Sequence, residues 1–150
     1  MKIALDDFDY KILQILNENA RLSYAEIGRK IALSQSATKE RVLNLVENGV
    51  IKQFSTVIDF EKLGYGLKVI ISLKFKNDEF KIFITDLSKF PEILNCKRVT
   101  GEYCLIAECV LRDSLHLENL IDRLITYGVP ATSVQLSEIK ADTFFKRKMS

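Results

Sequence analysis

The chain has no tryptophan, one histidine (His116), two prolines and three cysteines in 150 residues. Each scarcity removes a class of protein. Cys96, Cys104 and Cys109 form no C-x-x-C pair, and with a single histidine they fall short of a zinc ligand set. An odd number of thiols does not make a disulfide framework either, so reduced, buried cysteines are expected, with no metal and no cofactor. No apolar run approaches the roughly 18 residues that span a bilayer. The opening Met1-Lys-Ile-Ala-Leu-Asp-Asp carries no signal-peptide stretch, so a cytoplasmic protein without membrane contact is expected. Strong net charge is missing too: 22 Lys/Arg stand against 20 Asp/Glu, and residues 1–60 hold eight of each. A nucleic-acid site must therefore rest on where charges sit and not on their sum.

What is present is enough for a core: 47% hydrophobic and 28% charged residues suit one medium or two small globular domains. Leu5, Phe8, Ile12 and Leu16 recur at helical spacing, with Asp6, Asp7 and Asp9 crowding the first turn, where unpaired N–H groups and the helix dipole favour negative charge. Ser23-Tyr-Ala-Glu26 is a capping box, with Leu22 and Ile27 as its hydrophobic staple, and starts a second helix that runs to about Ile31. Ser34 caps a third helix, Gln35 to Glu47, which Asn48-Gly49 ends. Val50 to Ile58 reads as a strand. Helix, short turn, helix and strand make a winged helix-turn-helix. Three helices packed for structure alone are the alternative, against which the short link between two capped helices argues.

A buried stripe at Thr38, Val42 and Leu45 turns Ser36, Glu40, Leu43 and Glu47 outward, flanked by Lys39 and Asn44. Gln35 has the chemistry to pair with adenine, Lys39 with guanine or phosphate, Glu40 with a cytosine amino group, and Leu43 with a thymine methyl. Arg41 sits beside the buried stripe, which leaves phosphate anchoring and an internal salt bridge equally open. The expected DNA-contacting set is Ser23, Ser34, Gln35, Ser36, Lys39, Glu40, Arg41 and Leu43.

Beyond the glycines Gly64 and Gly66 the pattern changes. Leu67 to Phe75 reads as a strand and Asp78 to Lys89 as a helix that Pro91 stops. Ile93 to Val99 and Cys104 to Leu111 follow as strands, Ser114 to Thr126 as a helix, and about Thr132 to Ile139 as a last strand. The order βαββαβ is the ferredoxin-like arrangement, with both helices on one sheet face. The fold class is thus α+β: a winged helix-turn-helix over 1–50, a wing strand and hinge over 51–66, and a ferredoxin-like domain over 67–150. Val69, Ile71 and other bulky residues are expected on the uncovered face, which a second copy would bury. A two-fold dimer also presents two reading helices to half-sites about 34–36 Å apart.

These motifs resemble the leucine-responsive regulator family, Lrp/AsnC. The likeness is carried by Leu5-Asp6-x-x-Asp9-x-x-Ile12-Leu13-x-x-Leu16, Ala20-Arg21-x-Ser23, Ser34 with Arg41, Glu47-x-Gly49-Val50-Ile51 and Leu63-Gly64-Tyr65. It continues in Val99-Thr100-Gly101-Glu102-Tyr103, Tyr127-Gly128 and Thr132-Ser133-Val134. The resemblance implies a transcriptional regulator that binds double-stranded DNA and is modulated by a small effector, an amino acid. It also implies a homodimer that assembles to an octamer, and an effector site at Thr100, Gly101, Glu102, Tyr103, Cys104, Thr132 and Ser133. The chain departs from the family pattern at Cys104, where aspartate is frequent, and at Thr38, where valine is usual. Gly28 and Ala32 look exchanged. Two rival readings are an effector-binding or assembly module without DNA binding, and a tetrapyrrole decarboxylase-like enzyme of similar architecture, which would need more polar side chains than the lone His116.

Overall fold

The computed structural model describes residues 3–141 and 143–145. In chain order it contains α1 (Asp7–Glu18), α2 (Tyr24–Ile31), α3 (Gln35–Glu47), β1 (Leu67–Phe75), α4 (Glu79–Asp86), β2 (Ile93–Arg98), β3 (Leu105–Leu111), α5 (Ser114–Leu124) and β4 (Gly128–Val134). Two compact units divide between Val57 and Ile58, within the stretch read from sequence as wing and hinge.

In the first unit the caps set where helices begin. Asp6 and Asp9 close a reciprocal capping box on α1, each carboxylate accepting the other's backbone N–H at 3.0–3.1 Å. Ser23 and Glu26 do the same for α2, and the Ser34 hydroxyl accepts the Ala37 N–H at 3.1 Å to start α3. Ile12, Ile27, Ile31, Val42 and Leu45 are buried where the three helices meet, with Leu5, Phe8, Leu16 and Leu22 packed around them. The expected strand from Val50 to Ile58 does not form: this stretch has no ladder partner among the described residues, and an extended segment needs a hydrogen-bonded neighbour to become a strand.

The second unit is a four-stranded antiparallel sheet in the order β2-β3-β1-β4, the ferredoxin-like order, with α4 and α5 over one face. Register places Val69, Ile71 and Leu73 opposite Cys109, Ala107 and Leu105, and these six pack with Phe83, Phe90, Leu120 and Leu124. This corrects the expectation that Val69 and Ile71 face outward: the strand period of two sends them under the helices. It leaves Lys68, Ile70, Ser72 and Lys74 on the other face, beside Ile106 and Glu108 of β3. There Lys97 and Asn95 of β2 both hydrogen-bond Glu108 at 2.7 Å.

The last strand lies earlier than the expected Thr132–Ile139. Its partner β1 spans Leu67–Phe75, and backbone bonds from Lys76 N–H to Tyr127 and from Gln135 N–H to Lys68 bracket the ladder. Beyond Gln135 the register leaves only Leu67, the first residue of β1, so the ladder cannot continue toward Ile139. Pro130, which would break a central strand, is tolerated because β4 is an edge strand. No helix among the described residues is long and apolar enough to cross a membrane.

Candidate DNA-reading helix and effector surface

Helix α3 is held by its inner face. Thr38, Val42 and Leu45 are buried, as their spacing predicts, and the buried Thr38 hydroxyl donates to the Ser34 carbonyl at 2.8 Å, so no polar group is stranded. Gln35, Ser36, Lys39, Glu40 and Leu43 are exposed, with Leu43 at 41%. Ser34 and Ser36 share a hydroxyl contact at 3.1 Å. Ser23 is already committed to Glu26, which its hydroxyl reaches at 2.6 Å, and this bond holds the Glu26 carboxyl below the usual range.

The turn between α2 and α3 accounts for the exchange of Gly28 and Ala32. A Cβ on Gly28 would meet the Leu33 carbonyl oxygen at 2.5 Å and the Thr38 hydroxyl at 2.9 Å, so glycine is required by close approach of α2 to the turn and to α3. Ala32 ends α2 in the left-handed region (φ 58°, ψ 41°), a conformation that costs a non-glycine residue about 1 kcal/mol.

Arg41 makes the internal salt bridge, one of the two roles that its position left open. Its Nη1 lies 2.8 Å from Asp6 and 2.9 Å from Asp9, and its guanidinium sits 5.3 Å from the Phe8 ring centroid. Hydrogen bonds to Asp9 and Asp6 push Arg41 upward, while the Asp9 backbone N–H, with help from Arg41, holds Asp6 below the usual carboxylate range.

Of the residues expected to meet an effector, Thr100 to Cys104 form the turn joining β2 to β3, with Gly101 at φ +120°. The turn is pinned by Val99 N–H to the Cys104 carbonyl (3.0 Å) and by Cys104 N–H to the Leu73 carbonyl (2.9 Å). Thr100, Gly101, Glu102 and Cys104 are exposed and Tyr103 is half-buried. Thr132 and Ser133 lie exposed on edge strand β4, opposite Ile71 and Ile70. With β1 intervening, two strand spacings of about 4.8 Å each separate them from the turn, so one chain does not bring the two groups together.

A polar cluster that sequence reasoning did not find lies at the opposite end of the β2–β3 hairpin. Glu92, only 8% exposed, takes hydrogen bonds on Oε1 from Arg123 and from His116 at 3.1 Å. The His116 Nδ1 accepts the Arg112 N–H at 3.3 Å, which places a proton on Nε2 facing Glu92. Burial pushes the Glu92 carboxyl upward. Its own backbone N–H, His116 and Arg123 together outweigh that and hold it below the usual range. The available signal was the seven-residue spacing of His116 and Arg123, which sets both on one side of a helix two turns apart.

Against known proteins, a winged helix-turn-helix DNA-binding model matches residues 5–52 and an Lrp/AsnC ligand binding domain model matches residues 68–143. The HTH-type transcriptional regulator FL11 of Pyrococcus horikoshii is 34% identical over 122 residues, covering 81% of each chain. The HTH-type transcriptional regulator LrpC of Bacillus subtilis is 33% identical over 137 residues, covering 91% of this chain and 95% of that one. The solved structure of LrpC superimposes with a TM-score of 0.87 at 32% identity, covering 93% of this chain and 100% of that one. A transcriptional regulator from Neisseria meningitidis, solved as a complex with L-methionine, gives 0.82 at 31% identity, covering 92% and 94%. These relatives are transcriptional regulators and not enzymes, which removes the decarboxylase reading. With both halves matched in order, the chain belongs to the Lrp/AsnC family of DNA-binding transcriptional regulators.

Proposed function

We propose that this regulator reads a specific DNA sequence through α3 as a two-fold assembly in the cytoplasm, and that an amino-acid effector changes its assembly or its DNA affinity. One observation carries the reading: Gln35, Ser36, Lys39 and Glu40 are exposed together at the start of α3 while Thr38, Val42 and Leu45 lock its other side into the core. The N-terminal part of such a helix is what meets base edges in the major groove. Ser23 and Ser34 start α2 and α3, where free backbone N–H groups suit a phosphate. Arg41 then works from inside, fixing α3 to α1, and Leu43 offers an apolar contact one turn further on.

For the effector, the turn from Thr100 to Cys104 supplies backbone donors and acceptors, and Thr132 and Ser133 supply hydroxyls. Because one chain holds these groups apart, a shared pocket needs a second copy, in accord with a homodimer that assembles further to an octamer. The L-methionine complex of the Neisseria meningitidis relative supports an amino acid as the ligand class.

Binding to genomic DNA fragments at graded salt tests the proposal. The expected result is an affinity that falls steeply as salt rises, with a further change when amino acids are added one at a time. No measurable affinity at low salt would instead favour an effector-binding module that keeps the helix-turn-helix as scaffold, a reading to which the exposed Glu40 and Glu47 lend weight.

A further inference from the structure

The first compact unit is discontinuous in sequence: residues 1–57 are joined in it by residues 139–150. Within that second piece Thr143, Phe144 and Phe145 are helical, and the two rings meet edge to face at 5.3 Å. Phe144 is 63% exposed, whereas Phe145 is half-buried and lines a mainly apolar groove with Leu13, Leu16, Ala20, Phe54 and Val57. Leu16, Ala20 and Phe54 also wall an adjoining groove that reaches Ser23 and Gln35, where α3 begins. Phe145 is therefore seated on the helix-turn-helix, one groove away from the start of α3.

The sequence that follows this seat is Lys146-Arg147-Lys148. Consecutive Cα atoms are about 3.8 Å apart, so these three cations begin within roughly 11 Å of Phe145 whatever path the backbone takes. Their effect on the unit is large. Residues 1–57 hold eight Lys/Arg and seven Asp/Glu, and residues 139–150 hold four and one, so the returning segment raises the unit from +1 to +4. The second unit, residues 58–138, holds ten and twelve and is net acidic. Among the cations of residues 1–57, Arg41 is already committed to Asp6 and Asp9, and the exposed Lys39 stands beside Glu40. The positive charge that attracts a polyanion is thus concentrated in the segment seated near α3 and not on α3 itself.

We propose that this segment is a second DNA-contacting element: Phe145 seats it on the helix-turn-helix, and Lys146, Arg147 and Lys148 hold backbone phosphates beside the groove that α3 reads. The inference rests on the DNA reading proposed above and extends it to residues outside the helix-turn-helix. Phosphate contacts carry no sequence information, so the segment adds affinity and leaves the choice of sequence to α3.

Filter binding of the full-length protein to a genomic fragment and to a random duplex, at graded salt, tests this. Lys146→Gln, Arg147→Gln and Lys148→Gln together should lower the slope of log affinity against log salt by about 2–3 for each chain engaged. Both duplexes should weaken by the same factor, at least about tenfold at 0.1 M salt, so that the preference between them persists. Lys146→Arg with Lys148→Arg, which restores the charge, should recover the slope. Lys62→Gln, Lys76→Gln and Lys81→Gln together, at exposed positions of the second unit, change the net charge equally and should leave the slope as it is. An unchanged slope in the first variant, an equal fall in the second-unit variant, or a loss that arginine does not recover would overturn the proposal. A wild-type protein without DNA affinity at low salt would remove this reading together with the one it rests on. A steep wild-type slope that the glutamine variant keeps would refute the segment's role alone and leave α3 as the reader.

Discussion

Arg41 and Asp9 meet at 2.9 Å across the interface of α3 and α1, so the helix that carries the exposed residues proposed to read DNA is anchored by a charge that is itself occupied. This separates two kinds of cation on one helix. Lys39 is exposed, and Lys39→Ala should lower the slope of log affinity against log salt by about 1, as expected when one phosphate contact is lost. Arg41→Ala should leave that slope unchanged and reduce stability by about 1 kcal/mol, the upper range for a partly exposed ion pair. Filter binding at several salt concentrations and urea unfolding distinguish the two.

Gly28 and Ala32 should respond in opposite directions to being exchanged. Ala32→Gly relieves a left-handed alanine at an exposed position and should raise stability by about 0.5–1 kcal/mol. Gly28→Ala drives a methyl group toward the Leu33 carbonyl and should cost about 2 kcal/mol or more. Urea melts of the two single variants check this. Equal effects of the same sign would refute the account of the turn.

Glu92 gives a pH signature. Its folded-state pKa lies below the ordinary value, so the stability it contributes is present above the usual carboxylate range and is lost as pH falls through the lowered value. Glu92→Gln should destabilise the protein by about 1–3 kcal/mol at neutral pH, because Arg123 and His116 lose a charged acceptor. The gap between wild type and variant should narrow as pH falls through that lowered value and the wild-type carboxyl takes up its proton. Glu108 and Asp86 are also held low, by Lys97 and Lys89 respectively, so the difference between the two proteins is the quantity to follow.

The uncovered sheet face is mixed in character, with Ile70 and Ile106 beside Lys68, Lys74 and the Lys97–Glu108 pair. If copies associate through this face, Ile70→Glu should lower the assembly state in sedimentation while leaving the fold of each chain intact by circular dichroism. An unchanged sedimentation coefficient would direct attention to another surface.

Much of this was legible in advance because it is local. The capping boxes at Asp6 and Ser23, the Ser34 cap and the buried Thr38–Val42–Leu45 stripe all follow from residues within a turn or two of one another. What escaped depends on distant partners. The stretch from Val50 to Ile58 has strand composition and no neighbour to pair with. Likewise β4 takes its limits from β1, some sixty positions earlier, and not from its own β-branched run. Val69 and Ile71 lie under the helices and not on the open face that the sequence suggests, because an apolar strand does not reveal by itself which side the helices will cover. Glu92 was invisible for the same reason: its two partners come from a helix that follows another strand.

Pro130 carries one more implication. Lys68 with Gln135 and Lys76 with Tyr127 are hydrogen-bonded across β1 and β4, so the intervening Pro130, opposite Leu73, falls at a position whose N–H would have pointed off the free edge. A proline there removes one donor from the outward row and spoils the template for another molecule to continue the ladder. In the two-fold assembly proposed above, this guards against runaway fibril growth from that margin.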